Sequence, residues 1–132
     1  MEVGSSFWCL FATVLFPYFL APVSGYFRTQ QFGTLDNKNP RQQQTESTGA
    51  GARAVAAQAN AWEALPVFAS AVIVNHLANA DAGTAAMLSM VFVAMRVLHA
   101  IFYITDVDKM RSLVFLVGLG CCVGLFISAA RA

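Results

Sequence analysis

Charge is what this sequence has least of. Asp, Glu, Lys and Arg make up 11% of its 132 residues, against roughly 25% in soluble domains. A water-soluble fold with 58% hydrophobic residues would have too little polar surface to cover itself, whereas lipid removes that demand. The length allows a single domain. Basic residues form no stripe outside the short loops, which argues against nucleic acid as a partner. Cysteine is sparse too. Cys9, Cys121 and Cys122 show neither a disulfide framework nor metal-ligand spacing, and read as small apolar side chains of membrane helices. A signal peptide is also missing its marks. Glu2 is the only charge of the first segment, and the uncharged run from Val3 to Phe27 exceeds an h-region of about 7–15 residues. The expectation is a retained first helix.

What is present is apolar length. About 20 apolar residues suffice to cross the hydrocarbon of a bilayer, and four segments qualify: about 4–27, 52–78, 82–104 and 112–130. The expected fold class is therefore all-α, an integral membrane four-helix bundle in one domain covering residues 1–132. Trp8 and Tyr26 stand near the ends of the first span, where amphipathic rings favour the interface. Pro17 and Pro22 fall inside it and predict a kink. Residues 28–51, rich in Gln, Asn, Thr and Gly and without hydrophobic period, read as an aqueous loop. Small residues crowd spans two to four, as close helix packing in lipid requires. Arg28, Lys38, Arg41, Arg53, Lys109 and Arg111 flank the first and third loops, against Arg131 alone on the other side. That bias places both termini away from the cytoplasm and loop 28–51 within it.

The middle spans keep polar residues: Asn60, Glu63, Asn75, His76, Arg96 and His99. A charge at the bilayer centre costs roughly 2.5–3.5 kcal/mol on insertion scales, so such residues face the bundle interior. Glu63 lies ~15 Å and Arg96 ~12 Å from the cytoplasmic end of their spans at ~1.5 Å per residue. The two are therefore expected to meet and neutralise each other. Arg96, His99 and Tyr103 stack along one helix face opposite Asn60 and Glu63. This polar wall opens beside Arg28, Arg53 and Arg111 and suits an anionic, peptide-like ligand. Spacing alone leaves a second use open, a Glu–Arg pair that only fixes helix register. Asn75 and His76 stand near the outer surface, where polar residues cost little.

Two motifs in order carry a resemblance. The segment RAVAAQANAWEALPVF holds Asn60, Glu63 and Pro66 as N-x-x-E-x-x-P, and Arg96, His99 and Tyr103 form R-x-x-H-x-x-x-Y. Arg111-Ser112 follows after a short loop, and Asn39-Pro40 stands in the long one. Together they resemble the membrane-associated proteins in eicosanoid and glutathione metabolism, the MAPEG family, over nearly the whole chain, and within it the poorly characterised bacterial branch. The resemblance implies a homotrimer of four-helix protomers in a bacterial inner membrane, with glutathione as cofactor between neighbouring protomers. It implies binding roles for Arg28, Arg53, Asn60, Glu63, Arg96, His99 and Tyr103, and contact with the glutathione sulfur for Arg111 and Ser112. A cation beside a thiol favours the nucleophilic thiolate.

The expected function is a glutathione-dependent membrane transferase or peroxidase acting on hydrophobic electrophiles or lipid peroxides that arrive from the bilayer. Two departures from the resemblance keep an alternative in view. Ala56 and Ala59 stand where prostaglandin-synthase-like members carry arginines, and Phe115 replaces a tyrosine that contacts the sulfur region in several members. A phenylalanine has no hydrogen to donate to a thiolate. The alternative is a non-catalytic trimeric scaffold or accessory subunit; a transporter fits least, since one cluster near one mouth makes no pathway.

Overall fold

The computed structural model describes residues 4–132, so Glu2 and Val3, which entered the reading of the first segment, lie outside the described residues. It holds five helices: α1 (Ser5–Phe32), α2 (Pro40–Glu46), α3 (Gly49–Leu77), α4 (Ala82–Ile104) and α5 (Asp108–Ala130). Three of them, α1, α4 and α5, are long and apolar enough to cross a membrane. With 29 residues α3 has the length, ~43 Å at ~1.5 Å per residue. It lacks the uniform apolarity, because Arg53, Gln58, Asn60 and Glu63 occupy its first half and Asn75 and His76 its end.

The helix ends follow local chemistry. α1 runs through both prolines and on to Phe32, past the expected limit near residue 27. Gly33 ends it in the left-handed region (φ 81°), its amide donating to the Thr29 carbonyl at 2.9 Å, a conformation that costs glycine little. Buried Pro17 sits where Gln58 of α3 donates to its carbonyl at 3.1 Å, tying the two helices at that point. Asp81 opens α4 by accepting the Thr84 amide at 2.7 Å, an N-cap. Asn79 and Asp106 take positive φ in the two tight turns, a region that short polar side chains tolerate.

Loop 28–51 is more ordered than its composition suggested, because it contains α2. Asp36 Oδ1 accepts the amides of Lys38 and Asn39, both at 2.9 Å, and this Asx turn delivers Pro40 to the first position of α2. Gln43, buried beneath α2, organises the rest. Its Oε1 accepts from Arg28 Nη1 and from the Asp36 amide, each at 3.2 Å, while its Nε2 donates to the Thr34 carbonyl at 2.9 Å.

α3 is the central helix and touches each of the others, while the most extensive pairings are α1 with α3 and α4 with α5. Its buried face repeats at three and four residues, through Ala54, Ala57, Ala61, Phe68, Ala71, Val72 and Asn75. In lipid such packing rests on dispersion rather than on removal of apolar surface from water. The alanines let the backbones approach. Gly124 does the same on α5, where an added Cβ would stand 3.1 Å from Leu88.

Two apolar clusters result. One, around Phe68, Val72, Phe92, Cys122 and Leu125, lies toward the end that holds the start of α1 and the end of α5. The Phe68 and Phe92 rings stack there at 4.0 Å. The other gathers Leu20, Ala57, Ala61 and Ala100 toward the opposite end. On α3, Glu63 falls between the residues of the two clusters and Asn60 stands next to Ala61 of the second, while on α4 Arg96 and His99 fall between them.

Candidate functional site

Arg96 belongs to the buried face of α4, in sequence with Ser89, Phe92, His99 and Ala100, and only 5% of its surface is exposed. A guanidinium cannot deprotonate to escape such a position, so its donors need acceptors. Nη2 donates to Asn60 Oδ1 at 2.5 Å and approaches His99 Nδ1 at 3.5 Å. Because arginine only donates, the second contact favours the His99 tautomer that carries its proton on Nε2. Arg96 Nε is buried without a hydrogen-bond partner.

The expected Glu63–Arg96 ion pair is absent. Glu63 is exposed on the flank of the bundle, and the only ion pair within 4.0 Å among the described residues joins Arg53 to Asp106. The depth estimate placed both charges at one level, but Asn60, one turn earlier on α3, reaches the guanidinium instead. Asn60, Glu63 and Arg96 nevertheless line one cleft of about 230 Å³. Its remaining wall is apolar, with Val67, Phe92, Phe115 and Leu119, and with buried Gly118 and Cys122. The cleft is thus amphipathic, with an unpaired carboxylate and a desolvated cation at its polar end.

From Arg96 a line of contacts runs toward the cytoplasm-facing loops of the sequence reading. His99, 3% exposed, meets the Tyr103 ring edge-on at 5.6 Å and the Phe115 ring at 6.1 Å. The Arg111 guanidinium lies over the Tyr103 face at 4.5 Å, a cation–π contact that fixes the start of α5 against the end of α4. Arg96, His99, Tyr103 and Arg111 therefore form one connected group. Ser112 follows Arg111 as an exposed residue and does not line the cleft.

Two expected site residues are engaged elsewhere. Arg28, 8% exposed, is bound to Gln43 under the α2 loop. Arg53 donates from Nε to the Ile104 carbonyl at 3.0 Å and pairs with Asp106 at 4.0 Å, satisfying one of the free carbonyls at the end of α4. Both act here as clamps on the ends of helices.

The sequence reading missed Gln43, which is one of three consecutive glutamines and carries no signal that sets it apart. It also missed Phe92, Gly118 and Cys122, apolar residues that become cleft lining only once α4 and α5 are packed. Among the described residues, no three His, Cys, Asp or Glu side chains come together in a way that would hold a metal.

No curated protein matches this chain. A family model described as MAPEG family matches residues 5–131. Taken with its three membrane-length apolar helices, this makes the chain a multi-pass membrane protein that belongs to the MAPEG family, whose members serve glutathione and eicosanoid metabolism.

Proposed function

We propose that the chain binds glutathione in the cleft between Asn60, Glu63 and Arg96 and uses it as a transferase or peroxidase on hydrophobic electrophiles or lipid peroxides. The observation that carries this reading is the unpaired state of Glu63 beside Arg96 in one cleft. Glutathione brings an ammonium and two carboxylates, which complement an acidic and a basic group held apart. Asn60 holds the guanidinium in place without neutralising it, so Arg96 keeps a positive charge at the cleft wall for a ligand carboxylate. The apolar wall of Phe92, Phe115 and Leu119 receives the hydrophobic cosubstrate from the bilayer.

The same reading calls for a homotrimer. Ligand sites occupy about 300–1,000 Å³, so a flank cleft of about 230 Å³ needs a second wall. An exposed carboxylate cannot face hydrocarbon without cost, and a neighbouring protomer would cover Glu63. In this arrangement α3 crosses the membrane as a fourth span, shielded by its neighbours, with both termini on the non-cytoplasmic side of a bacterial inner membrane. Arg111 and Ser112 lie toward the cytoplasmic mouth and stabilise the glutathione thiolate. Its sulfur then attacks an electrophilic carbon, whose leaving group departs with the bonding pair, or the terminal oxygen of a hydroperoxide. In the second case the O–O bond breaks to release the alcohol, and a second glutathione converts the resulting sulfenic acid to glutathione disulfide and water.

Thermal stability of the detergent-solubilised protein tests the binding step. Glutathione at 100 times its dissociation constant should stabilise by ~2.7 kcal/mol. A flat response at saturating glutathione removes the proposal. For the chemistry, glutathione should produce thiolate absorbance with the wild type and lose it with Arg111→Ala.

A second reading, a trimeric scaffold or accessory subunit without turnover, is favoured by one observation. Phe115 lines the cleft and supplies no hydroxyl to a thiolate. A glutathione-induced thermal shift without thiolate absorbance or turnover would select it.

A further inference from the structure

Arg111 stands where a helix does not favour a cation. It lies in the first turn of α5, which begins at Asp108, and the positive end of the helix dipole opposes a positive charge there. Asp108 shares that turn, yet among the described residues the only ion pair within 4.0 Å joins Arg53 to Asp106. The Arg111 side chain is also only half-buried. Its fixed place therefore needs another source of attraction.

The Tyr103 ring supplies it. The guanidinium carbon lies over the ring face, 4.5 Å from its centroid, within the ~6 Å reach of a cation–π contact. Tyr103 is itself held on other sides. It packs against the buried cluster of Leu20, Ala57, Ala61 and Ala100, and the His99 ring meets it at 5.6 Å with the planes at 69°. The last turn of α4 thus presents a steady π-face to the first turn of α5. The kind of contact matters for the chemistry. A carboxylate partner would cancel the charge of Arg111 and occupy its N–H donors in a bidentate pair. A ring face attracts the cation through its quadrupole and takes up no donor. The guanidinium is placed without being neutralised, as a cation that favours a thiolate must be.

We propose that Tyr103 is a positioning residue, whose ring rather than its hydroxyl aims the Arg111 guanidinium at the glutathione sulfur. The inference rests on the glutathione reading above and gives one of its residues a different task. The resemblance assigns Tyr103 a contact with the ligand, while the geometry gives its ring to Arg111. Because Tyr103 acts through Arg111, loss of the ring lowers the thiolate fraction of bound glutathione. Glutathione itself stays bound at Asn60, Glu63 and Arg96.

A graded series at position 103 of the full chain, solubilised in detergent, tests this. Tyr103→Phe drops the hydroxyl and keeps the ring. Phenylalanines with successively more ring fluorines at the same position keep its shape and drain electron density from its face. Thiolate absorbance at saturating glutathione should stay near the wild-type level with Tyr103→Phe and fall stepwise with fluorination. It should end about fivefold lower with Tyr103→Leu, which has no π-face. The glutathione-induced thermal shift should hold throughout. The fluorinated rings differ from phenylalanine only at their edges, so the series decides the matter even if Tyr103→Leu fails to fold. Thiolate absorbance indifferent to fluorination would overturn the proposal. So would a loss with Tyr103→Phe as large as with Tyr103→Leu, which would put the hydroxyl on the sulfur. A thermal shift lost in step with the thiolate would make Tyr103 a binding residue and overturn it too. Wild-type protein without thiolate absorbance would remove the glutathione reading and this inference with it, whereas wild-type absorbance that ignores the ring series would remove the inference alone.

Discussion

Arg96 Nη2 donates to Asn60 Oδ1 across the α3–α4 contact, and Glu63, one turn further along α3, is left unpaired in the same cleft. The asparagine holds the cation without neutralising it. A buried charge that is hydrogen-bonded but not ion-paired keeps its attraction for a ligand carboxylate, and it leaves the glutamate available for a ligand ammonium.

Glu63 and Asn60 should therefore respond differently to substitution. Glu63→Gln should leave the stability of the unliganded protein within about 0.5 kcal/mol, as for surface positions, while reducing the glutathione-induced thermal shift. Unfolding curves in detergent with and without glutathione check both. A large loss of unliganded stability would show that the carboxylate holds the fold.

Asn60→Ala removes an acceptor from the buried guanidinium and should destabilise by about 1–3 kcal/mol. Combined with Arg96→Ala, the loss should be less than the sum of the two single changes, since residues in one hydrogen bond couple by about 0.5–3 kcal/mol. A double-mutant cycle of unfolding free energies measures the difference. Strict additivity would contradict the contact.

Gln43→Ala should free three groups at once: Arg28 Nη1, the Asp36 amide and the Thr34 carbonyl. The α2 loop should loosen while the four long helices persist. Hydrogen exchange should accelerate over residues 34–47 and change little at Phe68 or Phe92. Exchange rates that rise equally throughout would mean that the loop is part of the global folding unit.

Acid should weaken the start of α4. The Thr84 amide, by its hydrogen bond, holds the Asp81 carboxyl below the ordinary aspartate pKa. A group with a depressed folded pKa stabilises above its unfolded pKa and loses that contribution as pH falls through the folded pKa. Asp81→Asn keeps an N-cap side chain that does not titrate. Melting temperatures of the wild type should fall more steeply than those of Asp81→Asn below the ordinary aspartate range, and parallel curves would refute the assignment.

The helices of this chain were largely legible in its residues, because uncharged runs such as that ending at Phe27 leave a chain few alternatives to helix in lipid. The alignment of Arg96, His99 and Tyr103 along α4 was legible as well, since helical spacing is a local property. The α2 segment was not. PRQQQTE has no apolar period, and its helix is held by Gln43 reaching Arg28 and Thr34, contacts between separate segments. Arg28 and Arg53 looked like mouth charges, yet one lies under α2 and the other clamps the end of α4.

The sequence by itself determined an apolar helical protein with Glu63 and Arg96 set within its middle spans, because composition and period act residue by residue. Only the tertiary structure decided which partner each charge takes. Depth along two helices brings Glu63 and Arg96 to one level, but hydrogen bonds form within about 3 Å. Helix rotation and side-chain reach settle contacts on that scale. They gave the guanidinium to Asn60 and left the carboxylate open on the flank of the bundle.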